Sequence, residues 1–167
     1  EAIDPRQAEA LRKKFQELSM AEVNAEIEQL QRNLNWLVQN PQLDPSGRQR
    51  IAAGQQLIGA VRRRADLQAQ FGVENVQAGF SERQRELNER IARSQAGLGK
   101  EFDPFGPRSR FFQAQIKRAQ DELKQMGERP DITAEQIAKP YVEAQKKIAE
   151  VQGTINAALQ ANVDATG

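Results

Sequence analysis

The sequence predicts an all-α protein of narrow helices, arranged as elongated helical hairpins or a coiled-coil-like bundle of about five to six helices and completed by oligomerisation. Three observations predict it. Every patterned stretch repeats its apolar residues at spacings of three and four and is bounded by caps, Gly or Pro. No stretch alternates apolar and polar residues over the length of a strand, and β-branched clusters are missing. The composition sets 23 Ala and 22 Gln against only 37 Leu, Ile, Val and Phe in 167 residues, which suits slender helices with a thin core.

The elements follow in order. Asp4-Pro5 reads as an N-cap with Pro at the first helical position, and Leu11, Phe15 and Leu18 follow on one face of a short first helix. Ser19 with Glu22 has the form of a capping box, so a second helix is expected there. Its stripe Val23, Ile27, Leu30, Leu34, Leu37 is the strictest heptad seam in the chain. Asn40-Pro41 ends it, and Asp44-Pro45-Ser46-Gly47 supplies a turn before a third helix from about Arg48 to Phe71. Ile51, Leu57, Ile58 and Val61 line that helix, and Gly54 and Gly59 let a neighbouring backbone come close. Residues 72–79 are weakly patterned and predict a loop. A fourth helix from Ser81 to Gly97 carries Phe80, Leu87 and Ile91 on one side. A fifth, capped by Ser109, carries Phe112, Ile116, Ala119, Leu123 and Met126 up to Gly127. The last starts at Thr133, pairs Thr133 with Gln136, and runs Ile137, Tyr141, Ala144, Ile148, Val151, Ile155, Ala158, with Pro140 expected to kink or break its first turns. The whole reads as a single helical domain or segment: a hairpin over about 5–71, basic central helices over about 80–127 and a long C-terminal helix over about 133–161.

Composition excludes much chemistry. With no His and no Cys, the chain lacks the usual zinc ligands, thiol nucleophiles, disulfides and the one side chain that titrates near neutrality unperturbed. Its acidic groups alternate with Lys and Arg along solvated helix faces, three of its five Ser fall at expected N-caps, and Gly97, Gly99 and Gly106 follow no strand and precede no Gly-Lys-Ser/Thr. No catalytic residue, cofactor, metal site or small-molecule substrate is therefore expected, and the chain is read as a non-enzyme. No run approaches the roughly 20 apolar residues that span a bilayer, so no transmembrane segment and a soluble chain are expected. The start at Glu1 suggests a processed product or a piece of a longer chain, and the compartment stays open.

Charge is unevenly spread. Residues 1–47 carry a net −3, residues 48–118 a net +7 and residues 119–167 a net −3. Within a bundle or multimer the acidic ends would neutralise the basic middle; otherwise the middle would meet nucleic acid or an anionic membrane surface. Arg62, Arg63 and Arg64, with Arg108 and Arg110, are the candidate polyanion contacts. The triplet cannot face one phosphate backbone together, because consecutive helical residues point about 100° apart. The segment from Phe102 to Phe112 holds four of the seven Phe. Asp103, Pro104 and Gly106 suit a turn with Phe105 at its tip, whose rings either plug the end of a bundle or form a patch that docks on a partner. Trp36 lies off its helix's seam, at an edge or an interface. Trp36, Phe102, Phe105 and Phe111 are the interface candidates.

In composition, rich in Ala and Gln and free of Cys, the chain is similar to segments of phage tape-measure and internal virion proteins, a resemblance carried by no motif and shared with other assembly proteins. The expected function is a structural protein that assembles through helical seams, as a homo-oligomer or within a larger complex such as a virion or its tail and ejection apparatus. The alternatives are a nucleic-acid-associated protein using residues 48–118, and a helical adaptor or chaperone.

Overall fold

The computed structural model describes residues 4–166; Glu1, on which the reading of the chain's start rests, lies outside them. The described residues form four α-helices and no strand: α1 Pro5–Gln39, α2 Arg48–Gly99, α3 Pro107–Met126 and α4 Ala134–Thr166, with a 3-10 turn at Pro41–Leu43.

The count is smaller than the five to six expected, because two expected boundaries are not made. Ser19 and Glu22 lie inside α1 rather than opening a second helix. Both residue types are tolerated in a helix interior, and with no Gly or Pro beside them the helical ladder continues. Residues 72–79 are helical within α2 instead of forming a loop. Gly72 and Gly79 each cost about 1 kcal/mol of intrinsic helicity relative to Ala, but Val73, Glu74, Val76, Gln77 and Ala78 between them carry no turn signal. Pro140 lies in the second turn of α4 and does not break it; one N–H to the carbonyl of Gln136 is forgone, at a place where the helix is barely begun.

Other boundaries match. Asp4 Oδ1 accepts from the Arg6 N–H at 3.0 Å and Pro5 opens α1. Gly47 takes the left-handed conformation, φ 74°, that the turn before α2 requires. Buried Asp44 then caps α2, its carboxylate accepting from the N–H groups of Gln49 (3.2 Å) and Arg50 (3.0 Å). Helix α3 opens earlier than expected, with Gly106 as N-cap and Pro107 at the first position, so Ser109 sits inside the helix and not at its cap.

The chain divides into two compact units, one made of residues up to Phe71 together with those from Ala134 onward, the other of Gly72 to Thr133. In the first, α1, the N-terminal half of α2 and α4 form a three-helix bundle. Phe15 meets Phe71 edge to face at 6.4 Å and Glu26 pairs with Arg63, so α1 and α2 run antiparallel. A methyl at Gly54 would lie 2.5 Å from Ile155 Cγ1, and one at Gly47 would strike the Ala158 backbone, so α4 also runs antiparallel to α2 at close approach. The core joins Val23, Ile27 and Leu34 from α1, Leu57, Ile58, Val61 and Ala65 from α2, and Ala144, Val151 and Ile155 from α4. The strict seam of residues 23–37 is thus buried as its spacing required.

The second unit is a two-helix hairpin. Arg83 pairs with Glu122 and the Phe112 ring lies against Gly97, so the C-terminal half of α2 and α3 run antiparallel. Leu87, Ser94, Ser109 and Ala119 are its buried residues, flanked by half-buried Phe80, Ile91, Phe112, Ile116, Leu123 and Met126.

Candidate functional site

The basic middle of the chain is neutralised in part by its acidic ends. Arg50 binds Asp44, Arg63 binds Glu26 and Arg83 binds Glu122, each pair crossing from residues 48–118 into an acidic terminal stretch. Burial alone would push the Asp44 carboxyl up, but the N–H groups of Arg50 and Gln49 and the Arg50 guanidinium outweigh it and hold the group below the usual carboxylate range. Hydrogen bonds to Glu122 and then Glu86 raise Arg83 further above its already high value.

The structure disperses the candidate polyanion contacts. Arg63 is engaged with Glu26, Arg64 donates to Asn24 Oδ1 at 3.4 Å, and Arg62 is exposed on α2. In the other unit Arg108 stands 3.8 Å from Glu101 and Arg110 is exposed in the first turn of α3. Arg62 borders a groove of about 470 Å³ between α2 and α4, floored by Ala65, Ala144 and Ile148. Across it the Tyr141 hydroxyl donates to Asp66 Oδ1 at 2.8 Å, a bond that raises the phenol's pKa. Neither the rims nor the floor of this groove carry a group set for acid-base work. Among the described residues no three carboxylates gather closely enough to hold a metal ion, and no helix is long and apolar enough to cross a membrane.

The interface candidates are all exposed. Trp36 lies on the outer face of α1, and Phe102, Phe105 and Phe111 stand out from the hairpin end of the second unit. Only Phe112 of that aromatic cluster turns inward, onto Gly97, with Phe111 edge to face against it at 5.7 Å. The end-plug reading thus fails for three of the four rings. The turn itself forms as the residues required, the Asp103 carbonyl accepting from the Gly106 N–H at 3.2 Å.

Sequence reasoning missed one surface. Leu11, Phe15 and Leu18, read as the buried face of a short helix, are 61%, 64% and 60% exposed. The inner face over these turns is Gln16 and Met20, in phase with Val23 and Ile27. The signal was available, since stepping back from Val23 by three and four lands on Met20 and Gln16 and leaves the leucines on the far side. Comparison of the chain with family models, curated proteins and solved structures gives no match, so its own geometry carries the functional reading.

Proposed function

We propose that the chain is a non-catalytic assembly protein that associates with further copies of itself, within a larger complex, through exposed helix faces. One observation carries this reading. Among the described residues fifteen large apolar side chains are exposed, whereas eleven, leaving Ala aside, are buried. Single exposed leucines are ordinary on any surface, but Leu11, Phe15 and Leu18 repeat at four and three along one face of α1, which is the pattern of a helix that lacks its partner. The pairing of Arg50, Arg63 and Arg83 with acidic residues of this same chain supports an electrostatic role inside the protein over a nucleic-acid role. The nucleic-acid reading draws on Arg62 and Arg110, which make no ion pair among the described residues. A virion or its tail and ejection apparatus is the setting that the composition fits, and a helical adaptor or chaperone would use the same faces.

Light scattering at tens of micromolar, at moderate and high salt and with and without DNA or RNA, separates these readings. Association carried by apolar faces persists as salt rises, because surface ion pairs contribute only about 0 to 1 kcal/mol each and are screened. Phosphate contacts instead give nucleic-acid binding that falls steeply with salt. The expected result is a salt-resistant multimer that binds little nucleic acid. A monomer with strongly salt-dependent DNA or RNA binding would reverse the order.

A further inference from the structure

The turn between α2 and α3 is a convex tip that carries two of the most exposed aromatic rings of the chain, Phe102, fully exposed, and Phe105 at 79%. Nothing about this tip is slack. The Asp103 carbonyl accepts from both the Gly106 N–H and the Ser109 hydroxyl, the Asp103 carboxylate accepts from the Phe105 N–H at 2.9 Å, and Ser109 is buried behind them. Pro104 and Pro107 fix two further backbone angles. A ring held in place before binding loses little freedom when it is buried, which is the condition for an anchor.

We infer that this tip, with Lys100 and Arg110 beside it, anchors the second unit to an anionic lipid surface, Phe102 and Phe105 entering the boundary between headgroups and acyl chains and the two cations meeting lipid phosphates. Two observations select that occupant. The first is the backbone. Lys100 and Glu101 donate to Gly97 and Leu98, Phe105 and Gly106 donate to Asp103, and Pro104 and Pro107 have no N–H to satisfy. The turn therefore enters a medium poor in water with these donors already paired, where an open loop would be penalised. The second is charge. Glu101 is paired with Arg108 at 3.8 Å and the Asp103 carboxylate is occupied by the turn. Lys100 and Arg110 make no ion pair among the described residues, so the cations left over at the tip complement an anionic surface. A single strand of nucleic acid fits less well, because stacking platforms lie in grooves that track the phosphates and these rings stand on a convex end. A loop-borne anchor also needs no membrane-spanning helix.

Sedimentation with lipid vesicles tests the inference on the whole chain. The protein is expected to partition onto vesicles of phosphatidylcholine mixed with phosphatidylglycerol, and less onto phosphatidylcholine alone. Phe102→Ser with Phe105→Ser should reduce partitioning by about tenfold or more with helicity unchanged, both side chains being outside any packed core. Lys100→Gln with Arg110→Gln should lower the preference for phosphatidylglycerol by about fivefold per cation while leaving binding to neutral vesicles as it was. With Trp36→Phe and Phe105→Trp, the new indole should be quenched by brominated lipid. Absence of binding to anionic vesicles, or equal binding by the double Phe variant, would overturn the inference. So would a double Phe variant that loses self-association in the absence of lipid, which assigns the tip to a second copy of the chain. None of these outcomes depends on whether the α1 face self-associates.

Discussion

The two units bury their apolar residues to very different extents. Where α1, α2 and α4 meet, three helices enclose Leu34, Leu57, Val61, Val151 and Ile155 from all sides. In the hairpin of α2 and α3 only Leu87 among the large apolar residues is buried, and its companions are Ser94, Ser109 and Ala119. Two helices share one seam, so a side chain there is covered on one flank and wet on the other; a third helix closes the ring. The hairpin compensates with polar fastenings: Arg83 bridges Glu122 at 2.7 Å and Glu86 at 3.1 Å, and the Ser109 hydroxyl ties the turn. The lesson is that heptad spacing alone does not set how much a seam contributes; the number of helices that cover it does.

That contrast can be broken by substitution. The largest effects are expected in the three-helix unit, where Leu57→Ala should cost about 2 to 5 kcal/mol and Leu30→Asp or Ile148→Asp several kcal/mol. Trp36, the only Trp in the chain, lies in this unit, so its fluorescence during urea unfolding reads the change there. Leu87→Ala is expected at the lower end of that range, about 2 kcal/mol, because the half-exposed seam can relax around the gap. It is measured from the far-ultraviolet circular dichroism transition, and a cost equal to that of Leu57→Ala would remove the distinction between the units.

Intermediate effects sharpen the same contrast at the helix starts. Asp44→Asn should cost about 1 to 2 kcal/mol at neutral pH, the carboxylate being buried under two N–H groups and Arg50. Since its pKa is depressed by folding, that contribution is full above the unfolded value, near 4, and is lost as pH falls through the lower folded value. The stability gap between wild type and Asp44→Asn should therefore shrink on acidification below about pH 4, and a gap unchanged down to pH 2 would contradict the cap.

The smallest effects distinguish glycines. Gly54→Ala should destabilise by about 1 to 3 kcal/mol, because its methyl would meet Ile155 at 2.5 Å. Gly79→Ala, with nothing within 4 Å of the added carbon, should stabilise by about 0.5 to 1 kcal/mol. Glu26→Gln, at an exposed ion pair with Arg63, should change the urea midpoint hardly at all. If all three shifts coincide, the helix packing is misassigned.

Much of the fold was legible because its signals are local. Asp4-Pro5, Asn40-Pro41, the turn at Asp44–Gly47 and the stripe Val23–Leu37 each report on neighbouring residues, and each lies where its chemistry places it. Helix continuity was less legible. Ser19 and Glu22 fit a cap and a helix interior equally well, and Gly72 and Gly79 weaken a helix without ending it, so only tertiary context decides. The candidate surfaces divide the same way. Turn residues announced the aromatic tip, whereas Arg63 finds Glu26 across 37 residues and Arg83 finds Glu122 across 39, separations that no pattern in one sequence encodes.

The central claim, that exposed helix faces join copies of the chain, is tested most directly at the outer face of α1. Sedimentation equilibrium of the chain and of Leu11→Gln/Phe15→Gln/Leu18→Gln, both at tens of micromolar and moderate salt, compares a face that is apolar with the same face made polar. The account predicts a multimer for the first and the 18.8 kDa monomer for the second, with equal helicity, since none of the three side chains belongs to the buried core. A chain that is already monomeric, or a variant that keeps the multimer's mass, would contradict it.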